Sequence, residues 1–124
     1  MAHNKKKKKK RGPLKLRVMA EYGSSGIWGI GQVGVFRHAM IRHLDLGLPP
    51  ELAQGFDEWI AEYTSRLYES ADAFDVLAFN AKGRALAAAL KGLLGPQSYI
   101  EYLPETEDGS LGAAEVISWN QENR

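Results

Sequence analysis

Cysteine is absent from all 124 residues. That excludes disulfide cross-links, thiolate nucleophiles and cysteine-ligated zinc together, so any chemistry must come from oxygen, nitrogen or backbone groups. Long apolar runs are absent too: none approaches the roughly 20 residues that cross a bilayer. Six lysines, Lys5–Lys10, stand where a secretion signal would need an apolar stretch. The chain therefore reads as cytoplasmic and without membrane contact.

Charge is unevenly distributed. Lys5, Lys6, Lys7, Lys8, Lys9, Lys10 and Arg11 carry seven positive charges; the other nine Lys and Arg face fifteen Asp and Glu, which leaves the body at −6. A run of like charge offers no core face, so residues 1–12 are expected to be a disordered basic tail, with 13–124 a single domain. Such an arm would meet RNA or DNA by counterion release. No aromatic residue interrupts the lysines, so base stacking has no source there. Arg37, His38, Arg42 and His43 in "RHAMIRH" extend the candidate nucleic-acid contact. If that segment is helical, His38 and Arg42 share a face but His38 and His43 do not, a poor arrangement for two-histidine catalysis or a two-histidine metal site.

Leu14, Leu16, Val18, Ala20 and Tyr22 alternate with Lys15, Arg17, Met19 and Glu21, the pattern of a strand with one buried face. "YGSSG" is a turn, and "IWGIGQVGVF" an extended, glycine-rich hairpin partner. Phe36, Met40 and Leu44 sit at the spacing of a short helix. From Pro50 to about Glu69, Leu52, Phe56, Trp59, Ile60, Tyr63 and Leu67 form an apolar helical stripe opposite an acidic, wet face of Glu51, Glu58, Glu62 and Glu69. A second helix begins at the N-cap Asp75 and stops at Gly95-Pro96, with a stripe of Phe79, Leu86, Leu90 and Leu93. Gly83 and Gly92 each cost about 1 kcal/mol in a helix interior, which predicts a packing reason for both. "ALAAAL" makes a slim flank. "SYIEYL" and "AEVISW" read as strands around the acidic loop "PETEDGSLG". The fold class is α+β: a small antiparallel or mixed sheet of three to four strands with two main helices packed on one face.

"GIGQVG", Gly29–Gly34, has the G-x-G-x-x-G spacing of a dinucleotide-binding turn. The context does not follow. A turn rather than a buried strand precedes Gly29, Glu51 follows a helix entry rather than a second parallel strand, and the chain is too short for several βαβ units. These glycines are read as permitting a bent strand or a close backbone approach. Glu101, Glu105, Glu107 and Asp108 lack the spacing of a calcium loop and read as a solvated group. No catalytic, cofactor-binding or metal-ligating residue is assigned, and no cofactor is expected. Trp28, Trp59 and Trp119 are read most simply as core aromatics; for Trp28, among glycines on a bent strand, the alternative is exposure to a partner.

"GIW" at Gly26–Trp28, "LGLPPELAQGFDEWIAEY", "FDVLAFNAKGRALAAALKGLLG" and "YIEYLPE" together resemble a family of short, mostly uncharacterised bacterial α/β proteins, over roughly residues 14 to 104. The matching positions are Gly26, Ile27 and Trp28, Leu46, Leu48 and Pro49, Trp59 and Tyr63, Phe74 and Asp75, Gly83 to Ala87, and Ile100 to Tyr102. "GQVGVFRHAMIRH" and the lysine tail depart from the pattern. In size and acidity the chain is similar to the immunity and antitoxin proteins of bacterial conflict systems, which cap a toxin with complementary charge and have no catalysis of their own. The resemblance implies a non-enzymatic, immunity-like or accessory protein-binding domain, with Trp28, Glu51, Glu58 and Glu62 as the candidate partner surface. The alternative is a nucleic-acid accessory protein using the Lys5–Arg11 arm. An open sheet face would also admit a homodimer.

Overall fold

A computed structural model describes residues 14–31, 39–66, 74–108 and 110–119. Four strands, β1 (Lys15–Val18), β2 (Ile27–Gly29), β3 (Tyr99–Tyr102) and β4 (Glu115–Val116), accompany three helices, α1 (His43–Leu46), α2 (Pro50–Ser65) and α3 (Val76–Leu94). The sheet order is β2-β1-β3-β4. β1 pairs antiparallel with β2 and parallel with β3, and β3 pairs antiparallel with β4, so the sheet is mixed. A parallel pair needs a long crossover. Here α2 and α3 lie in the crossover from β1 to β3.

Alternation decides which sheet face meets the helices. Leu16, Val18, Ile27, Ile100 and Tyr102 are buried in one core with Phe56, Trp59 and Ile60 of α2 and Phe79, Ala87 and Leu90 of α3. Trp59 anchors it, stacking on Phe79 with ring centroids 4.9 Å apart and donating Nε1–H to the Phe79 carbonyl at 3.0 Å. Gly26, with φ 84°, turns the chain from β1 into β2 where a Cβ would stand 3.1 Å from Phe56. Gly83 brings α3 against Tyr102 and Trp59, the packing reason its cost implied.

Asp75 caps α3 as expected, its carboxylate accepting from Ala78 N–H at 3.0 Å, and Gly95 ends the helix. Several details differ from the sequence reading. Met40 is extended, not helical: it bridges Trp28, while Gly29 N–H donates to the Ala39 carbonyl and Ile41 N–H to the Ile27 carbonyl. A free strand edge outcompeted the helical spacing of that segment, and helix starts only at His43. Leu93 is 43% exposed, and Asn80, Ala87 and Lys91 share the buried face of α3 instead. Among the described residues a Cβ on Gly92 would touch nothing within 4 Å, so they supply no packing reason there. Tyr22 is 43% exposed, beyond the end of β1. The 1–12 tail, Gly34 and Leu67 lie outside the described residues, as does Glu69.

Candidate functional site

Glu51, Glu58 and Glu62 are seven and four residues apart, which places them along one face of α2. Glu51 occupies the first turn, where the helix dipole favours an acid. Glu58 accepts from Gln54 Nε2 at 2.8 Å. Glu62 is not part of a purely acidic wet face: its carboxylate takes Lys82 Nζ of α3 at 2.6 Å, and that hydrogen bond and charge raise the lysine pKa. Among the described residues Glu51 and Glu58 form no ion pair.

These three acids rim a groove between α2 and α3. One hollow of about 330 Å³ is lined by Gly55, Glu58, Trp59, Glu62, Lys82, Ala85 and Leu86. A second, about 740 Å³, shares Ala85 and runs to Pro49, Glu51, Leu52, Ala88, Ala89, Gly92 and Leu93. The floor is small and apolar and the α2 rim is acidic. The "ALAAAL" flank reads in the sequence only as slim enough for another element to approach; in the structure its Ala85, Ala88 and Ala89 line the hollows beside α2. Lys82 carried no signal in the sequence.

Trp28 lies apart from this groove. Its Cα partner is Arg17, whose strand neighbours Leu16 and Val18 point into the core, so Trp28 belongs to the opposite sheet face. There it donates Nε1–H to the Met19 carbonyl at 3.1 Å, and its row continues through Arg17, Glu101 and Val116. The four candidate partner residues thus divide between two sides of the molecule.

Of the nucleic-acid candidates, the described residues include Arg42 and His43 alone. Arg42 is held by both oxygens of Asp45, at 3.1 and 3.0 Å, and His43 turns inward, with Nε2 2.9 Å from the Ser25 carbonyl and its ring 5.6 Å from Phe56. Lys5–Arg11, Arg37 and His38 lie outside the described residues.

The acids of the last third are not one solvated group. Glu101 is buried and takes Arg17 Nε at 2.5 Å and the Tyr99 hydroxyl at 2.9 Å. Glu105 is buried and receives Arg66 Nη1 at 2.7 Å. Arg66 also stacks over Tyr63 and Phe74. Burial raises the Glu105 pKa, and the arginine opposes the shift. Burial first, and Glu105 next, push Tyr63 up to about 12. Asn80 completes a buried network, accepting from the Tyr102 hydroxyl at 2.7 Å and Glu105 N–H at 3.0 Å while donating to the Glu105 carbonyl at 2.9 Å. Arg84, over the Tyr102 ring, clamps Glu115 of β4 at 2.7 and 2.9 Å. Every acid–base pair here has a packing role. Among the described residues no three His, Asp or Glu side chains gather to hold a metal ion.

The model of the Serratia CdiI immunity protein-like family matches residues 14–105. The chain belongs to that family. The match spans β1 through β3 and Glu105, the extent read from the sequence pattern, and leaves the lysine arm and β4 outside it. No curated protein and no solved structure gives a significant match. Membership in the Serratia CdiI immunity protein-like family points to a protein-binding immunity role. Among the described residues no helix is long and apolar enough to cross a membrane.

Proposed function

We propose that this chain is a non-catalytic, cytoplasmic immunity protein that binds a toxin protein and occludes its working surface, with the α2/α3 groove as the docking face. The observation that carries the reading is the family match, joined to the placement of Glu51, Glu58 and Glu62 along one groove with an apolar floor. An acidic rim suits a basic partner, steering association and fixing orientation, while the alanine and leucine floor admits apolar side chains. A toxin that acts on nucleic acid or another anionic substrate carries the matching charge. The opposite sheet face, with Trp28 and the mutually neutralised Arg17 and Glu101, offers less charge complementarity.

The test is protection and binding together. Cells expressing the chain should survive a toxin that the purified chain binds, and the double reversal Glu51→Lys/Glu58→Lys should weaken both, whereas Trp28→Ala should not. Protection by soluble-fraction protein after fractionation is the expected result for a cytoplasmic site of action. Equal loss with Trp28→Ala and none with the charge reversal would move the docking face to the sheet. Retention of RNA or DNA by the full chain, without any toxin binding, would favour the arm-based alternative.

A further inference from the structure

We propose that the Lys5–Arg11 arm docks in cis along the acidic rim of the α2/α3 groove, with lysine stems on the alanine floor and ammonium groups on Glu51 and Glu58. Three observations converge on this segment and this groove.

The first is position. The arm joins the described fold at Leu14, whose carbonyl accepts from Tyr99 N–H at 2.8 Å. Tyr99 follows Ser98, whose carbonyl takes Lys91 Nζ at the C-terminal end of α3. Gly92 and Leu93, the next residues, line the wider hollow together with Glu51. The arm is therefore rooted at the Glu51 end of the groove. Extended chain covers about 3.3–3.6 Å per residue, so Arg11 reaches up to about 10 Å from Leu14 and Lys5 about 30 Å. A helix with its side chains is about 10–12 Å across, so the groove on the outer side of α3 is within reach.

The second is the fate of the other acids. Glu21 and residues 105–108 follow the C-terminal ends of the parallel strands β1 and β3, away from the arm's root. Glu101 and Glu115 are held by Arg17 and Arg84, Asp45 by Arg42 and Glu62 by Lys82, and Asp57 stands 3.9 Å from His43. Among the described residues Glu51 and Glu58 have no ion-pair partner, and both line the groove, Glu51 at the near end and Glu58 two turns further along α2.

The third is chemistry. A lysine buries its aliphatic stem on apolar surface while its charge stays wet. Ala88, Ala89, Leu52 and Leu93 supply that surface beside Glu51. A short tether gives a local concentration of about a millimolar, so even millimolar intrinsic affinity leaves the arm docked about half the time. The consequence rests on the functional reading above: a basic toxin must displace the arm, which then acts as an internal competitor. The docking itself does not depend on the toxin.

The absence of cysteine makes a clean experiment available. A single Asn4→Cys replacement in the full chain carries a nitroxide next to Lys5, and relaxation enhancement is read at every backbone amide without any toxin present. Attenuation concentrated at Glu51, Leu52 and Ala88–Leu93 is the expected result. It should fall at least about twofold when salt is raised to about 1 M, where screening acts within about 3 Å. It should also vanish in Glu51→Lys/Glu58→Lys and when Lys5–Lys10 are changed to serine. Attenuation confined to residues flanking Leu14, or centred on the Trp28 face, or unchanged by the charge reversal, overturns the proposal. Toxin binding that persists in such a case leaves the functional reading standing without the internal competitor.

Discussion

At Gly83 the room for a side chain is already taken. A Cβ there would stand 2.6 Å from Trp59 Cζ2 and closer still to the Tyr102 ring, both buried groups that cannot swing aside. Gly83→Ala should lose stability by about 1–3 kcal/mol through overpacking, which outweighs the gain of up to about 1 kcal/mol in helix propensity. Gly92→Ala should do the reverse, gaining about 0.5–1 kcal/mol because nothing opposes the methyl. Denaturant midpoints of the two variants test both signs. In the sequence the two glycines look alike, since each interrupts a helical pattern; only the tertiary neighbours distinguish them. Asp108 gives a pH signature. Hydrogen bonds from the Thr106 and Ser110 side chains, then from Ser110 N–H, hold its carboxyl down to about 2. A depressed carboxylate contributes stability that is complete above its ordinary range and is lost as pH falls from 3.8 toward about 2. Asp108→Ala should therefore be less stable than the parent at neutral pH, and the difference should close toward pH 2 in acid unfolding curves. Glu105, raised by burial, slopes the other way, losing stability as pH rises above 4.5.

The start of α2 and both ends of α3 were legible because their chemistry is local, whereas α2 stops at Ser65 rather than running to about Glu69. Pro50 sits in the first turn of α2, Asp75 caps α3, and Gly95-Pro96 ends it, each by a mechanism confined to one turn. The segment through Met40 was not legible, because its residues meet the spacing of a helix and the demand of β2 for a ladder partner equally well. The long-range hydrogen bonds to Ala39 and Ile27 decided it. The Asn80 network shows the same limit within α3. An asparagine in a helical stripe gives no hint that it joins β3 to the loop beyond it. Asn80→Ala would leave the Tyr102 hydroxyl and both backbone groups of Glu105 without their partners in the core. The loss should be about 3 kcal/mol, given 1–3 kcal/mol for a buried polar group left unpaired. Arg84→Ala, removing a half-exposed clamp on Glu115, should cost within about 1 kcal/mol. Chemical unfolding of the two variants side by side checks that order.

Across the whole molecule, the sequence made the fold class, the two helices and a sheet of three to four strands readable, the structure fixing four in mixed order, and the family match follows the same stretch. The candidate site was half readable. Glu51, Glu58 and Glu62 fall on one helical face by spacing alone, but the groove exists only because α3 presents Ala85, Ala88 and Ala89 beside them. Trp28 could not be placed relative to those acids without the strand register that puts it on the far sheet face. Of the G-x-G-x-x-G stretch, the described part runs from Gly29, which closes β2 in a mixed sheet, to Gly31, which takes φ 80°; Gly34 lies outside the described residues. Charge at the groove rim should act chiefly on the rate of association and its dependence on salt. The most direct measurement is the association rate of the neutralised toxin with the parent chain and with Glu51→Lys/Glu58→Lys, across a range of salt. If the groove is the docking face, the charge reversal slows association at low salt by tenfold or more, on the order expected for removal of electrostatic steering, and the two rates converge at high salt. Identical rates for both proteins at every salt concentration would contradict the account.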